Sequence, residues 1–140
     1  GNVHGGTILK LLDQVAYACA SRYSGSYVVT LSVDKVNFKE PIHVGELVTF
    51  LASVNHVGRT SMEIGIRVEA QNIQKRTMRH TNSCYFTMVA VDENGKPKQI
   101  PALNLDNDWK RCRFEAAEHR KVARLQDSHH PSCSIYKKTS

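Results

Sequence analysis

The chain has 140 residues, a formal net charge of +6 and ordinary apolar and charged fractions of 41% and 23%. This length suits one domain with a single core, and no run of about 18 consecutive apolar residues predicts a membrane span. The four cysteines lack the paired spacing of a zinc site, which favours reduced thiols in a cytoplasmic protein and no bound metal. The start of the chain shows no signal peptide, with neither a basic segment nor an apolar core.

The first predicted element is an apolar helix over about residues 7–21 that carries one central acid, Asp13. Its apolar positions occupy more than one face, so the helix is expected to be largely buried. A carboxylate inside such a helix costs free energy unless it is paired, hydrogen-bonded or used in chemistry. Asp13 is therefore the first candidate for a functional residue.

A glycine-rich segment, Asn2-Val3-His4-Gly5-Gly6, leads into this helix. The first turn of a helix has free backbone N–H groups and the positive end of the helix dipole, which suit a developing negative charge. Glycine also lets a substrate approach the backbone closely. An acid and an oxyanion anchor about two turns apart on one helix indicate acyl-transfer chemistry.

Four strands are predicted after the helix: residues 27–38, 46–57, 61–73 and 77–91. The apolar phase of the first strand slips by one residue, which predicts a bulge or a bend near residues 34–35. The third strand alternates most regularly between apolar and polar positions. The predicted core positions of the third and fourth strands are Met62, Ile64, Ile66, Val68, Ala70, Met78, Cys84, Phe86, Met88 and Ala90.

A final helix, capped by Asp106 or Asn107 and running to about Leu125, precedes a polar tail. The predicted fold class is α+β: an antiparallel sheet wrapped around one long buried helix, with an additional C-terminal helix. The predicted division is a domain over residues 1–103 and a helix and tail over residues 104–140. A single sheet leaves unpaired edges, so a two-fold dimer joined edge to edge is expected.

The segment GNVHGGTILKLLDQVA at the start of the chain resembles the hotdog-fold acyl-CoA thioesterases of the cytosolic acyl-coenzyme A hydrolase type. The resemblance covers about residues 1–103 and implies a hotdog fold. Four later segments, in the same order, are similar to that family as well: VTLSVDKV (29–36), PIHVGELV (41–48), GRTSMEIG (58–65) and HTNSCYFTMVAV (80–91).

The resemblance implies an enzyme of fatty acid metabolism that hydrolyses fatty acyl-CoA to free fatty acid and CoA. It implies no cofactor, since CoA is a product, and a homodimer that assembles into a trimer of dimers, a homohexamer. Asp13 matches the family's helix carboxylate, which acts as general base or positions water. The segment Val3-His4-Gly5-Gly6 matches the part that polarises the thioester carbonyl, with Gly5 and Gly6 as amide donors.

Asn2 of the same motif, together with the turn Gly58-Arg59-Thr60-Ser61, matches a region that contacts CoA. Arg59 suits a phosphate group, because its guanidinium offers a fork of donors. Lys35, Lys39 and Arg67 either add positive potential near such an anionic ligand or lie on a solvated face; both interpretations stay open. The family carries a further Asn a few positions before this motif, which we expect in an upstream segment.

Other functions are less consistent with the sequence. A non-enzymatic acyl-CoA sensor of the same fold would normally carry a DNA-reading helix-turn-helix, and none is predicted. A hotdog dehydratase or isomerase would need a His paired with an acid, and the first helix has no His. A nucleic acid partner would need more aromatic residues interleaved with the basic ones. No Gly-x-Ser-x-Gly motif indicates a serine nucleophile, and Cys19 is expected to be packed in the core.

Overall fold

The structure is a computed structural model, and it describes residues 1–128. The polar tail predicted beyond this point, including Cys133 and the pair His129-His130, lies outside the described residues. Two helices and four strands are present: α1 (Gly5–Ser24), β1 (Tyr27–Asp34), β2 (Leu47–Val57), β3 (Ser61–Asn72), β4 (Thr77–Val91) and α2 (Asp108–Ser128).

The four strands form one antiparallel sheet in the order β1-β4-β3-β2. Helix α1 packs against all four strands, so its apolar side and one face of the sheet enclose a single core. The sequence predicts this arrangement, an antiparallel sheet around one helix. The largest fully buried apolar side chains of the core are Phe86, Leu12, Met62, Ile64, Met88 and Val68.

Helix α1 is buried along one stripe, and the expectation of burial on more than one face is wrong for the single chain. Its buried residues, Ile8, Leu12, Ala16 and Ala20, recur every four positions and therefore share one side. The apolar residues Leu9, Leu11 and Tyr17 are 39–46% exposed, and Asp13 is exposed as well. The physical reason is that, among residues 1–104, a single sheet packs against one side of the helix and leaves the other side uncovered.

The helix begins two residues earlier and ends three residues later than predicted. At its end, Gly25 adopts a left-handed conformation with φ of 64°, and its N–H donates to the carbonyl of Ser21 at 2.8 Å. Glycine adopts this conformation without steric cost, so it ends the helix.

Strand β1 ends at Asp34, so the predicted extension to residue 38 is wrong. Lys35 has a φ of 56°, which turns the chain out of the sheet and accounts for the apparent slip of the apolar phase. The bend therefore lies where the slip predicts it, and a separate irregularity in pairing lies between Thr30 and Ser32. The apolar side chains Tyr27, Val29 and Leu31 are at least half exposed, whereas Val28 faces the core.

Strand β3 and most of β4 place their side chains as predicted, with one exception at the start of β4. The register of β3 and β4 shifts between Val68 and Glu69, so one extra residue, Thr81, is accommodated in β4. A bulge of one residue moves the preceding side chains to the opposite face of the sheet. Met78 is consequently 62% exposed and lies outside the core that the sequence predicts for it.

The start of the chain is attached to the segment before β2. The N–H of Val3 donates to the carbonyl of Ile42 at 2.8 Å, and the N–H of Val44 donates to the carbonyl of Gly1 at 2.9 Å. Arg79 of β4 holds this segment through hydrogen bonds to the carboxylates of Glu40 and Glu46, at 2.8 and 2.6 Å. These contacts fix the position from which α1 begins.

The described chain divides into two compact units, Gly1–Asn104 and a second that begins at Leu105. The second unit contains α2, whose start is capped as predicted: the Asn107 side chain accepts a hydrogen bond of 2.9 Å from the N–H of Lys110. On the helix surface, Arg113 lies over the ring of Trp109, 5.4 Å from its centroid.

Candidate active site on the first helix

The start of α1 offers unpaired backbone donors. His4 precedes the helix in an extended conformation, and its carbonyl accepts hydrogen bonds from the N–H groups of Thr7 and Ile8. Within residues 1–128, the backbone N–H groups of Gly5 and Gly6 have no backbone acceptor. A Cβ on Gly6 would meet nothing within 4 Å, whereas one on Gly5 would lie 3.6 Å from the ring of Phe38. The backbone at Gly6 is therefore open to a ligand.

Within residues 1–128, Asp13 has one hydrogen-bond partner, Thr30, which the sequence does not indicate as a site residue. The hydroxyl of Thr30 on β1 donates to Oδ1 of Asp13 at 2.8 Å. Since a hydroxyl donor occupies one of the two carboxylate oxygens, the other oxygen remains available to accept a proton. Thr30 thereby restricts the orientation of the acid while leaving it able to act.

Asp13 and Gly6 line the same groove, which has a volume of about 350 Å³. They are seven residues apart, so they lie on one side of the helix with two turns between them. The other lining residues are Leu9, Lys10, Val33 and Phe86. An acid and a helix N-terminus bordering an apolar groove suit a substrate with an apolar chain and a carbonyl group.

The spacing along α1 limits what one chain does by itself. Seven residues of helix correspond to about 10 Å, and the N–H of Gly6 points away from Asp13, beyond the helix start. A base acts on water that it touches, and the water attacks a carbonyl carbon about 3 Å away. Asp13 and Gly6 of one chain are therefore too far apart to act on the same carbonyl group.

The turn Gly58-Arg59-Thr60-Ser61 connects β2 and β3, and the structure does not bring it to Asp13 within the chain. Its carbonyls are used by the backbone: that of Arg59 accepts from the N–H of Ile100 at 3.1 Å. The next residue, Pro101, accepts a hydrogen bond from the hydroxyl of Tyr23. Tyr23 follows Asp13 by ten residues, which is about 15 Å along the helix. Arg59 itself is exposed.

Asn2 and His4 have different surroundings from those of Asp13. The Asn2 side-chain oxygen lies 2.7 Å from Nδ1 of His43, in the bridge that joins the start of the chain to residue 43. This contact gives Asn2 a structural role within the chain. His4 is exposed, and within the described residues its ring makes no hydrogen bond.

The described cysteines and acids show neither an activated thiol nor a metal cluster. Burial raises the pKa of the Cys19 thiol, and it raises the pKa of Cys84 to about 11, so both stay protonated at neutral pH. Among residues 1–128, no group of three or more His, Cys, Asp or Glu side chains is placed to hold a metal ion. No helix in the same range has the length and apolarity needed to cross a membrane.

Comparison with known proteins identifies the family. A model of the thioesterase superfamily matches residues 1–77, which span α1 to β3. Protein VdlD of Helicobacter pylori is 55% identical over 124 residues, 89% of this chain and 71% of that protein. The cytosolic acyl coenzyme A thioester hydrolase of Mus musculus is 36% identical over 124 residues, 86% of this chain but 32% of the mouse protein.

A solved structure has the same fold. The crystal structure of an apo-hexameric acyl-CoA thioesterase superposes with a TM-score of 0.89 at 36% identity, covering 94% of this chain and 84% of that one. The resemblance to hotdog-fold acyl-CoA thioesterases and the predicted α+β hotdog architecture are both confirmed. By sequence and by fold, this chain belongs to the thioesterase superfamily.

Proposed function

We propose that this protein hydrolyses fatty acyl-CoA thioesters to a free fatty acid and CoA. The observation that carries the proposal is the groove on α1, where an acid and a free helix N-terminus border apolar side chains. Similarity to proteins named as acyl-CoA thioester hydrolases supports the reaction. The reaction needs no metal or cofactor, and CoA leaves as a product.

In this mechanism, the Asp13 carboxylate accepts a proton from a water molecule as that water attacks the thioester carbonyl carbon. The carbonyl oxygen becomes an oxyanion that accepts hydrogen bonds from the amides of Gly5 and Gly6, and one such donor is worth roughly 3–4 kcal/mol. The C–S bond then breaks, the fatty acid is released, and the departing CoA sulfur takes the proton that Asp13 accepted. Thr30 is a positioning residue in this mechanism, because its hydroxyl contacts the Asp13 carboxylate and the sulfur of Met88 and takes part in no bond change.

The distance of about 10 Å between Gly6 and Asp13 on one helix requires a second chain. In a two-fold dimer with antiparallel α1 helices, Asp13 of one chain faces the partner's Gly6, and the reciprocal pair forms a second site. The exposed side chains of Leu9 and Tyr17, 40% and 46%, supply apolar area for such a contact. Assembly of three such dimers into a hexamer completes the proposal, and the similarity to a hexameric acyl-CoA thioesterase supports it.

The other candidate residues also have proposed roles in such an assembly. His4 lies next to the glycine amides and is proposed to contact the carbonyl region of the bound thioester. Asn2 and the turn Gly58-Arg59-Thr60-Ser61 are proposed to contact CoA, which requires an approach from another chain of the assembly. A cytoplasmic location is proposed because the similar mouse protein is named a cytosolic hydrolase.

The test replaces Asp13 with Asn and with Ala, and measures thiol release from acyl-CoAs of increasing chain length. Loss of the base is expected to lower kcat by ~10²-fold or more, with unchanged melting temperature. Glu93→Gln, which changes an exposed acid in the turn after β4, is the matched control. Turnover by Asp13→Ala equal to that of the unmodified protein would refute the role of Asp13. Acyl-CoA binding without any hydrolysis by the unmodified protein would instead favour a sensor.

A further inference from the structure

A second groove lies on the opposite face of the sheet from Asp13. It has a volume of about 500 Å³, which is a size typical of small-molecule sites. Tyr85 lines it, whereas the next residue of β4, Phe86, lines the Asp13 groove. Successive residues of a strand point to opposite faces, so the two grooves lie back to back at the end of β1. The lining residues are Lys35, Val36, Asn37, Lys39, His80, Ser83 and Tyr85.

The polar side chains of this groove are mostly donors of hydrogen bonds, and none is a carboxylate. Lys35 and Lys39 are exposed, and within residues 1–128 neither forms an ion pair. Glu69, which pairs with His80 in the register of β3 and β4, is engaged by Arg67 at 2.9 Å. Two ammonium groups therefore border a concave surface without a neutralising acid among its lining residues.

The hydrogen bonds of His80 add a further polar group to the groove. Its Nε2 lies 2.9 Å from the backbone carbonyl of Asn82 and 2.7 Å from the hydroxyl of Ser83. A carbonyl oxygen only accepts, so Nε2 carries a proton, and the Ser83 hydroxyl does not donate to it and keeps its own proton for a ligand. The ring is held in place by these two contacts.

We propose that this lysine groove, formed by Lys35, Lys39, His80 and Ser83, binds phosphate groups. Phosphate oxygens need several donors and positive charge from more than one direction, which two lysines and a hydroxyl provide. Two sources share this chemistry: the phosphates of the CoA substrate, in which case the site rests on the proposed function, and a separate phosphorylated compound.

The test removes both ammonium groups and measures binding of inorganic pyrophosphate and of CoA by calorimetry. The variant is Lys35→Asn combined with Lys39→Gln, since Asn tolerates the left-handed backbone of Lys35, whose φ is 56°. Lys75→Gln, in the turn between β3 and β4, removes an exposed charge as a control. Because both ammonium groups are exposed and partly screened by solvent, binding of each probe is expected to weaken about tenfold in the double variant and to stay unchanged in Lys75→Gln.

Thioesters with and without phosphates distinguish the two sources. If CoA is the ligand, the KM for acyl-CoA rises about tenfold in the double variant while kcat and the kinetics on acyl-pantetheine stay unchanged. If the ligand is a separate compound, the double variant binds pyrophosphate more weakly, whereas its KM values for acyl-CoA and for acyl-pantetheine stay the same. Equal binding of both probes by the double variant and the unmodified protein, or an equal loss with Lys75→Gln, would overturn the site. Binding is read without turnover, so an absence of hydrolysis would refute the proposed function and not the lysine groove.

Discussion

Replacing Thr30 with Val tests whether the orientation of Asp13 controls turnover. Val has nearly the same shape as Thr and suits a strand, so the substitution removes the hydroxyl and little else. The hydroxyl donates to Oδ1 of Asp13 at 2.8 Å, and within residues 1–128 no other hydrogen bond restrains that acid. Thr30→Ser keeps a donor at the same position and is the conservative counterpart.

The size of the effect follows from the type of hydrogen bond. A neutral donor to a charged acceptor is worth about 1.5–3 kcal/mol, and the exposed position of this pair in the chain favours the lower value. About 1.4 kcal/mol corresponds to a tenfold change in rate. Thr30→Val is therefore expected to lower kcat about tenfold, with little change in KM. Thr30→Ser should retain most of the activity.

The assay is thiol release from acyl-CoA, accompanied by thermal unfolding of each variant. Thr49→Val, at an exposed position of β2, is the control for replacing a strand Thr by Val. In the background of Asp13→Asn, Thr30→Val should cause no further loss, because the group that it positions is gone. A kcat equal to that of the unmodified protein in Thr30→Val, or equal losses in Thr30→Val and Thr30→Ser, would refute the positioning role.

Two further predictions concern stability and thiol chemistry. The backbone N–H of His43 and the guanidinium of Arg79 hold the pKa of Glu46 below its usual 4.5, so the ionised form stabilises the fold. This stabilisation is fully present above the unfolded-state pKa, and it is lost as pH falls through the lower folded-state pKa. Glu46→Gln should therefore lower the melting temperature at pH 7. The difference in melting temperature between the variant and the unmodified protein should shrink below about pH 4. Iodoacetamide at pH 8 should modify the exposed Cys112 in the folded protein, whereas it should modify Cys84, whose pKa is about 11, only after unfolding. Mass spectrometry of the labelled peptides measures both reactions. Rapid labelling of Cys84 in the folded protein would contradict the prediction.

The sheet was predictable where one face of a strand is buried and the other is polar. Strand β3 is the clearest case, since its apolar residues from Met62 to Ala70 all face the core. Strand β1 was less predictable because both of its faces carry apolar residues, so alternation alone does not say which side faces the helix. The slip of the apolar phase indicates a break near Lys35 but not its left-handed conformation, and the alternation in β4 gives no sign of the bulge at Thr81.

The site was predictable as far as it lies on one helix. The placement of Gly6 and Asp13 on one side of α1 follows from helical periodicity, and the same periodicity indicates Lys10 as a neighbour. Thr30 was missed because it comes from β1, and the partner of a strand hydroxyl depends on how the helix crosses the sheet. One feature of the sequence could have indicated Thr30. It is a polar residue two positions after Val28, so it lies on the same face of β1 as Val28, which faces α1.

The separation of Gly6 and Asp13 along α1 also bears on how such an enzyme diverges. In a symmetric dimer whose two active sites are both built from α1, every substitution in α1 is present in both chains. It therefore lies near both bound thioesters. One mutation therefore alters both reaction centres together, and neither centre specialises alone while the two chains are identical. Different specificities within one molecule would require two copies of the gene that vary independently.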